Sequence, residues 1–309
     1  MREAIDTDGV AGRMLARVAA LRHDPIPMVD PDPIGGYELH SVRPPEEFEG
    51  AVGDASRAVE AGDVRKLVLA REVTVSAATP FKPAAVFDAL RNGYPSCYCF
   101  CVGTAEAAFL AASPELLVRR SGAVVSTVAL AGSTRRSADP AVDDHLGERL
   151  LHSAKDLIEH GSVVRTIERA LERHSVWVTA ADEPSLVKVA NIQHLATPIR
   201  AQLAEPLSAL DLAGALHPTS AVGGEPWERA RGLIGALERL DRGWYAGPVG
   251  WMDATEDGEL CVALRCALLS GTVAHCYAGV GIVADSDPEA ELAETEVKLQ
   301  AVLPALTGS

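Results

Sequence analysis

Two acidic helix faces stand out in the sequence, of a kind that oxygen-seeking cations use. In PEAELAETEVKLQ, near the C-terminus, Glu291, Glu294 and Lys298 fall at i, i+3 and i+7, on one side of a helix. In KDLIEH, Asp156, Glu159 and His160 fall at i, i+3 and i+4, again on one face. Either face alone is as ordinary as any solvated helix surface, and Glu294 with Lys298 makes an i,i+4 pair worth about 0.2–0.5 kcal/mol. Together they would offer the oxygen ligands that Mg²⁺ takes, with waters completing an octahedron. A third cluster, Cys97, Cys99 and Cys101, lies at spacing two, so a strand would turn all three thiols to one face. A metal site built on them lacks an obvious fourth ligand nearby, and buried free thiols are the simpler reading.

Apolar periodicity predicts the elements that hold these residues. A helical pattern runs from about Gly9 to Arg22, then a proline-rich link through Pro25, Pro27, Pro31 and Pro33. A helix is expected over 45–62, and a strand over 66–75, where β-branched residues are bounded by turn formers. A helix over 83–91 precedes strands at 96–102, 107–111, 116–120 and 123–130. Leu146, Leu150, Leu157, Val164, Ile167 and Leu171 mark the buried stripe of one long helix over 140–174. Strands at 176–180 and 186–192 are followed by helices at 207–216 and 226–240. Strands at 247–253, 259–270 and 272–279 lead to a last helix over 288–303, with Asp287 as N-cap and Pro288 in the first position. Strand clusters alternate with helix clusters, which predicts an α+β architecture of mostly antiparallel sheet. No repeat, low-complexity segment or internal domain boundary is visible.

With 48% apolar and 23% charged residues among 309, the composition is that of a globular protein with a full core. No apolar run is long enough to cross a bilayer, and the first residues, MREAIDTDGV, lack the apolar core of a secretory signal. A cytoplasmic location is the expectation, and with it a reducing environment for the cysteines. The formal net charge of −15, from 28 basic and 43 acidic side chains, disfavours nucleic acid and anionic membrane as partners. It would equally repel a small anionic substrate, so a site for one needs local positive charge from lysine, arginine or a metal.

Read in order, the chain shows KLVLAR, SPELLV, ALAGSTRR, KDLIEH, IQHLATPI, HPTSAVGGEP, DRGWYAGPVGW, ALRCALL, YAGVGIV and AETEVKLQ. From Lys66 onward this resembles the chorismate-utilising enzymes, which include the isochorismate, salicylate, anthranilate and aminodeoxychorismate synthases. The resemblance implies a single chorismate-binding domain over 1–309, with a variable lead-in over 1–45 and a catalytic core over 60–309. Its sheets would pack together in the core with helices outside. It implies Lys66 as the general base that activates water, and Glu115 of SPELL as the general acid for a leaving hydroxyl. Their pKa values would be moved toward neutrality. Mg²⁺ would be held by Glu159 and Glu294, with Asp156 and Glu291 in contact through water. Lys298 would lie beside the metal and the ring carboxylate, near the backbone of Gly132 and Ser133. Arg265, Tyr245 and the backbone at Gly279 match residues that hold the pyruvyl carboxylate, a task that suits arginine's planar fork. His194 and Ala221 fall on the same pocket. Chorismate is a dianion, and Mg²⁺, Lys66, Arg265 and Lys298 would reverse the field locally.

Within that family, Lys66 together with Ala131 implies water as the nucleophile. Anthranilate-forming members usually lack the lysine, and aminodeoxychorismate synthases usually place a lysine where Ala131 stands. The HPT of HPTSAVGGEP resembles the isochorismate synthase form. The implied activity is therefore an isomerase, a Mg²⁺-dependent isochorismate synthase acting by water attack at C2 and loss of the C4 hydroxyl. Its product would enter menaquinone or siderophore biosynthesis, and a monomer or weak homo-oligomer is expected. The alternatives are a salicylate synthase, which would go on to eliminate pyruvate, and a non-catalytic paralogue that binds chorismate or a partner. Two departures accompany the resemblance. Only 65 residues precede Lys66, fewer than is usual in the family, which would leave a sheet edge exposed. Leu157 stands where many relatives have arginine.

Overall fold

The structure, a computed structural model, describes residues 7–19 and 36–308. Residues 1–30 form a unit of their own, which contributes the helix α1 (Thr7–Ala19). The predicted proline-rich link and the end of the predicted first helix lie outside the described residues. The unit of residues 31–309 begins with β1 (Tyr37–Ser41), α2 (Pro45–Glu60), β2 (Lys66–Ala77) and α3 (Pro83–Gly93). Then come β3 (Tyr98–Gly103), β4 (Ala107–Ser113), β5 (Leu116–Ser121), β6 (Val124–Arg135), α4 (Pro140–Leu151) and α5 (Ala154–Glu172). β7 (Ser175–Ala180), β8 (Ser185–Lys188), β9 (Ile192–Leu203), α6 (Ala209–Leu216), β10 (Gly224–Glu225) and α7 (Trp227–Glu238) follow. The chain closes with β11 (Pro248–Met252), β12 (Gly258–Val262), β13 (Cys266–Ser270), β14 (Val273–Ile282), α8 (Pro288–Leu299) and α9 (Leu303–Thr307).

The strands make two antiparallel, seven-stranded sheets, in agreement with the α+β expectation. One has the order β1-β2-β14-β13-β4-β3, with β10 added to β2; the other has the order β11-β12-β5-β6-β9-β7, with β8 beside β9. Period-two patterning explains the sheets: along β14, VAHCYAGVGI, every second residue is buried. Phe109 and Cys266 of the first sheet share an apolar cluster with Leu117, Ala129, Ile199 and Val262 of the second. The other face of the first sheet is covered by α3 and α9 over Val73, Val75 and Leu269, and by α2 and α7 over Leu67, Leu69 and Ile282. Each such fully buried aliphatic side chain contributes roughly 1.5–3 kcal/mol. Among the described residues no helix is long and apolar enough to cross a membrane.

Several predicted boundaries move. The long helix over 140–174 is two helices, because the Ser153 side chain accepts from the Asp156 amide at 3.3 Å and starts α5 afresh. The predicted strand over 259–270 is β12 in one sheet and β13 in the other, with Arg265 between them at φ 52°. The predicted strand over 186–192 meets β9 only at Ile192, and β9 runs on to Leu203 through Pro198, a residue that disfavours central strands. Its missing N–H costs nothing here, because Pro198 faces the break between β7 and β8, and its carbonyl accepts from Ala181 at 3.1 Å. The last helix is broken between α8 and α9, while Asp287 caps it as predicted, accepting from the Ala290 amide at 2.8 Å. Cys97 and Cys99 are half-buried and Cys101 is exposed, so the expected burial of that trio does not hold; all six cysteines are free.

Candidate active site

The site is built where the chain changes sheets. β4 hands over to β5 at Pro114–Glu115, and β12 hands over to β13 at residues 263–265, and these corners are bonded side by side. The Val262 amide donates to the Glu115 carbonyl (3.0 Å), the Ser113 hydroxyl donates to the Val262 carbonyl (2.5 Å), and the Ala112 amide donates to the Arg265 carbonyl (3.2 Å). Glu115 and Arg265 are thereby delivered to one cleft, both more than nine-tenths buried. Arg265 is held in the left-handed region at φ 52°, a backbone conformation that costs roughly 1–3 kcal/mol and clusters at functional sites.

Opposite these corners, β2 alternates. Leu67 and Leu69 face α2 and α7, so Lys66 and Val68 face the cleft. Lys66 is only 1% exposed, yet its Nζ lies 2.9 Å from Glu159 Oε1 of α5 in an ion pair and completes no hydrogen bond of good geometry. Gly281 makes room for this pair: a Cβ there would press on Glu159 Oε1 and stand 2.6 Å from Lys66 Cε. A bulge in β6 places Gly132, at φ 74°, against Asp156 of α5. The next residue, Ser133, donates to Glu294 Oε1 of α8 at 2.8 Å. Lys298, one turn along α8, lies 2.7 Å from the same oxygen and donates to the Gly279 carbonyl at 2.9 Å.

The cleft is open at its mouth, and about 650 Å³ of space lies between its walls, part of it continuous with solvent. Burial pushes the Glu115 carboxyl up to about 7, against the opposing pull of Lys66, Lys298 and Arg265. Such a group can give up a proton near neutrality. His194 is driven down to about 3 by burial and by the charges of Arg265 and Lys298, so it is a neutral imidazole. Its Nε2 lies 3.3 Å from Arg265 Nη2 and acts as the acceptor, with its other nitrogen bonded to the Gly132 backbone. Glu294 is half-buried, and against the upward push of that burial Lys298 and Ser133 hold it below the usual carboxylate range. Asp156 is pushed the other way, by burial and by the nearby charges of Glu159 and Glu294.

Of the residues singled out in the sequence, Glu115, Gly132, Ser133, Glu159, His194, Ala221, Tyr245, Arg265, Gly279, Glu294 and Lys298 line this one cleft, and Lys66 reaches it through Glu159. Asp156 lies behind Gly132, outside the lining. Glu291 is turned away, because Lys155 Nζ (2.6 Å) and the Ser286 hydroxyl (2.8 Å) both bond its Oε1. His160 also leaves the acidic face: its ring nitrogens bond the Ala131 carbonyl (3.2 Å) and the Thr197 hydroxyl (2.7 Å). Among the described residues no three His, Cys, Asp or Glu side chains already converge as a metal cage. The sequence reading missed Tyr277, which stacks on Tyr245 at 5.5 Å and 19° and lines the cleft. Its place directly before the AGVGIV run was the available signal.

Comparison with known proteins agrees with this geometry. The family described as chorismate binding enzyme matches residues 3–307. The isochorismate synthase MenF of Bacillus subtilis is 39% identical over 263 residues, 85% of this chain and 56% of that protein. The salicylate biosynthesis isochorismate synthase of Pseudomonas aeruginosa is 44% identical over 264 residues, 84% of this chain and 55% of that protein. The chain thus spans little more than half the length of these two relatives. The solved structure of MenF, the menaquinone-specific isochorismate synthase from Escherichia coli, superposes with a TM-score of 0.84 at 30% identity, covering 97% of this chain and 68% of that one. Two facing antiparallel sheets, a cleft at their shared corners and a family match across nearly the whole length lead to one conclusion: the chain belongs to the chorismate-binding enzyme family.

Proposed function

We propose that the protein converts chorismate to isochorismate, with residues 60–309 as its catalytic core. The observation that carries this reading is a buried carboxyl poised near neutrality in the cleft lining, Glu115, with a buried lysine, Lys66, paired to Glu159 of the same lining. The isochorismate synthases among its relatives support the same reaction. In it, Lys66 in its neutral amine form takes a proton from the water that attacks C2 of chorismate, and Glu115 protonates the C4 hydroxyl as it leaves. Arg265 receives the enolpyruvyl carboxylate, with the Tyr245 hydroxyl and the Gly279 backbone beside it. Lys298 and the Gly132–Ser133 backbone face the ring carboxylate. His194, neutral and accepting from Arg265, keeps that guanidinium in place. Fixing the ring against both groups is worth several kcal/mol of barrier.

The donor set fits Mg²⁺, with Glu159 and Glu294 as the residues that would hold it. Oxygen alone is offered, by carboxylates from two helices, and Mg²⁺ is commonly bound by one or two carboxylates plus water and substrate rather than by a closed protein cage. Lys66 and Lys298 are paired with these two carboxylates, and Asp156 is pushed up by the nearby charges of both carboxylates, which a divalent ion would relieve. Bound there, the metal would supply fixed positive charge to the ring carboxylate. The reading further assigns a cytoplasmic location and a monomer or weak homo-oligomer.

The test is to incubate the purified protein with chorismate and Mg²⁺, with an EDTA control, and separate the products by chromatography. Isochorismate formed only with metal is the expected result. Salicylate with pyruvate would move the assignment to the sister activity, and no conversion by a folded protein would overturn it.

A further inference from the structure

Arg242 lies just outside the cleft, three residues before Tyr245, and its guanidinium makes four hydrogen bonds behind the cleft's walls. Nε and Nη2 donate to the two carboxylate oxygens of Glu238 at 2.8 and 2.7 Å. Nη1 donates to the Val222 carbonyl at 2.7 Å, and Nη2 donates to the Val68 carbonyl at 3.0 Å. The guanidinium carbon stands 5.7 Å from the centre of the Tyr245 ring. Glu238, 3% exposed, accepts in addition from the Ala70 amide of β2 at 3.0 Å. Val68, Val222 and Tyr245 all line the cleft, while Arg242 and Glu238 do not. One ion pair, with Glu238 buried and Arg242 partly exposed, therefore ties together three separate walls: β2, the loop before β10, and the segment carrying Tyr245.

The Tyr245 end is set to close tolerance. The ring is stacked on Tyr277, and its hydroxyl lies over Gly279, where a Cβ would come within 2.7 Å of it. Ala246, the next residue, is held at φ 65°, with its carbonyl 2.8 Å from His217 Nε2. A ring so confined takes its position from what lies on its free face, and that is the guanidinium. Burial works against the charge on Arg242, yet the bonds to Glu238 keep it firmly protonated.

We propose that Glu238 and Arg242 form the positioning device for the carboxylate-binding end of the cleft, setting Tyr245 and the Val222 segment to receive the substrate's enolpyruvyl carboxylate without touching it. This rests on the reading of chorismate as substrate. The planar fork is essential, because the ammonium of a lysine has three donors on one atom and cannot meet Glu238 bidentately while reaching both Val222 and Val68.

The test is steady-state kinetics of the full chain with chorismate and Mg²⁺, for wild type, Arg242→Lys, Glu238→Gln, Tyr245→Phe and the double variant Arg242→Lys/Tyr245→Phe. Arg242→Lys keeps a cation beside Glu238 and should raise KM about ten-fold while kcat stays within about three-fold, since Lys66 and Glu115 are undisturbed. A merely structural role would do the opposite, lowering the active fraction and hence kcat at an unchanged KM. Because Arg242 acts through Tyr245, the double variant should be no worse than about two-fold beyond the poorer single variant. A KM within about two-fold of wild type, or a double variant showing the full product of the single effects, overturns the proposal. If Arg242→Lys does not fold, Glu238→Gln carries the same test: it turns one acceptor of the fork into a donor, and an unmoved KM there is equally decisive. Wild type run alongside separates the two levels. Chorismate left unconverted by wild type overturns the functional reading, whereas unmoved KM values in variants of a competent enzyme overturn the positioning role alone.

Discussion

Replacing Glu115 with glutamine tests whether burial sets the acid of the site. Burial raises its pKa from 4.5 to about 7, with Lys66, Lys298 and Arg265 pulling the other way. At about 1.36 kcal/mol per pH unit, the ionised carboxylate costs the folded state roughly 3 kcal/mol relative to its protonated form. Between pH 4.5 and about 7 the folded chain keeps a proton that the unfolded chain has lost. The stabilisation from Glu115 is therefore complete below the lower value and is lost as pH rises through the upper one. An amide has no proton to lose, so the stability of Glu115→Gln minus that of wild type should climb across this window and level off above it. All other titrating groups are common to both proteins and cancel in the difference. Urea unfolding followed by tryptophan fluorescence, at steps from about pH 4.5 to about 8, reads this directly. Stability curves that run parallel for the two proteins would refute the argument. Kinetics supply the second arm: kcat/KM of wild type should fall as pH rises past about 7, and the variant should lose about 10²–10⁴-fold.

Other substitutions probe the opposite wall. Lys66→Ala should lower kcat by about 10²–10⁴-fold while circular dichroism shows the fold retained, and a rate near wild type would remove Lys66 from the mechanism. Gly281→Ala would press a methyl on Glu159 Oε1 and to 2.6 Å from Lys66 Cε. Both atoms end flexible side chains, so the unfolding midpoint should move by only a few degrees while kcat falls about ten-fold or more. An unchanged kcat would mean that the Lys66–Glu159 arrangement is not needed.

The side chains that line the cleft were legible because each sits in a run whose residue types have few other uses together, such as Glu294 and Lys298 of AETEVKLQ. The turns that aim them were not. The run 260–269 is apolar except for Arg265, and periodicity cannot register that its two halves belong to different sheets. What separates them is the left-handed backbone at Arg265, in a corner bonded to distant segments at Ala112, Glu115 and Ala246–Gly247. β9 was hidden by Pro198, whose cost depends on a gap between two partner strands far away in sequence. Ser153 offered a capping signal, but the apolar stripe continues from Leu150 to Leu157 across it and outweighs it on inspection. Arg242 was unreadable for a plainer reason: its partners include backbone carbonyls 20 and 174 residues away, and a carbonyl has no signature in sequence.

Charge balance in the cleft accounts for how so acidic a protein would hold a dianion. Lys66 and Lys298 are each paired with a carboxylate, Glu159 and Glu294, so that wall is close to neutral in sum. Arg265 is different. It is 8% exposed and, among the described residues, has no carboxylate within ion-pair distance; its side-chain partner is the neutral His194. A buried cation left without an anion is costly, and burial draws its pKa down accordingly. The cost is recovered when a carboxylate arrives, which makes Arg265 a place for one of two negative charges and only one. The second must settle against the wall where lysines and glutamates already cancel, and it gains nothing there from lysines already neutralised. A divalent cation shared with Glu159 and Glu294 would convert that neutral wall into a positive one, and by twice the charge that a monovalent ion would bring. This asymmetry between the two ends of the cleft is the physical ground for expecting metal dependence at the ring carboxylate and metal independence at the enolpyruvyl end.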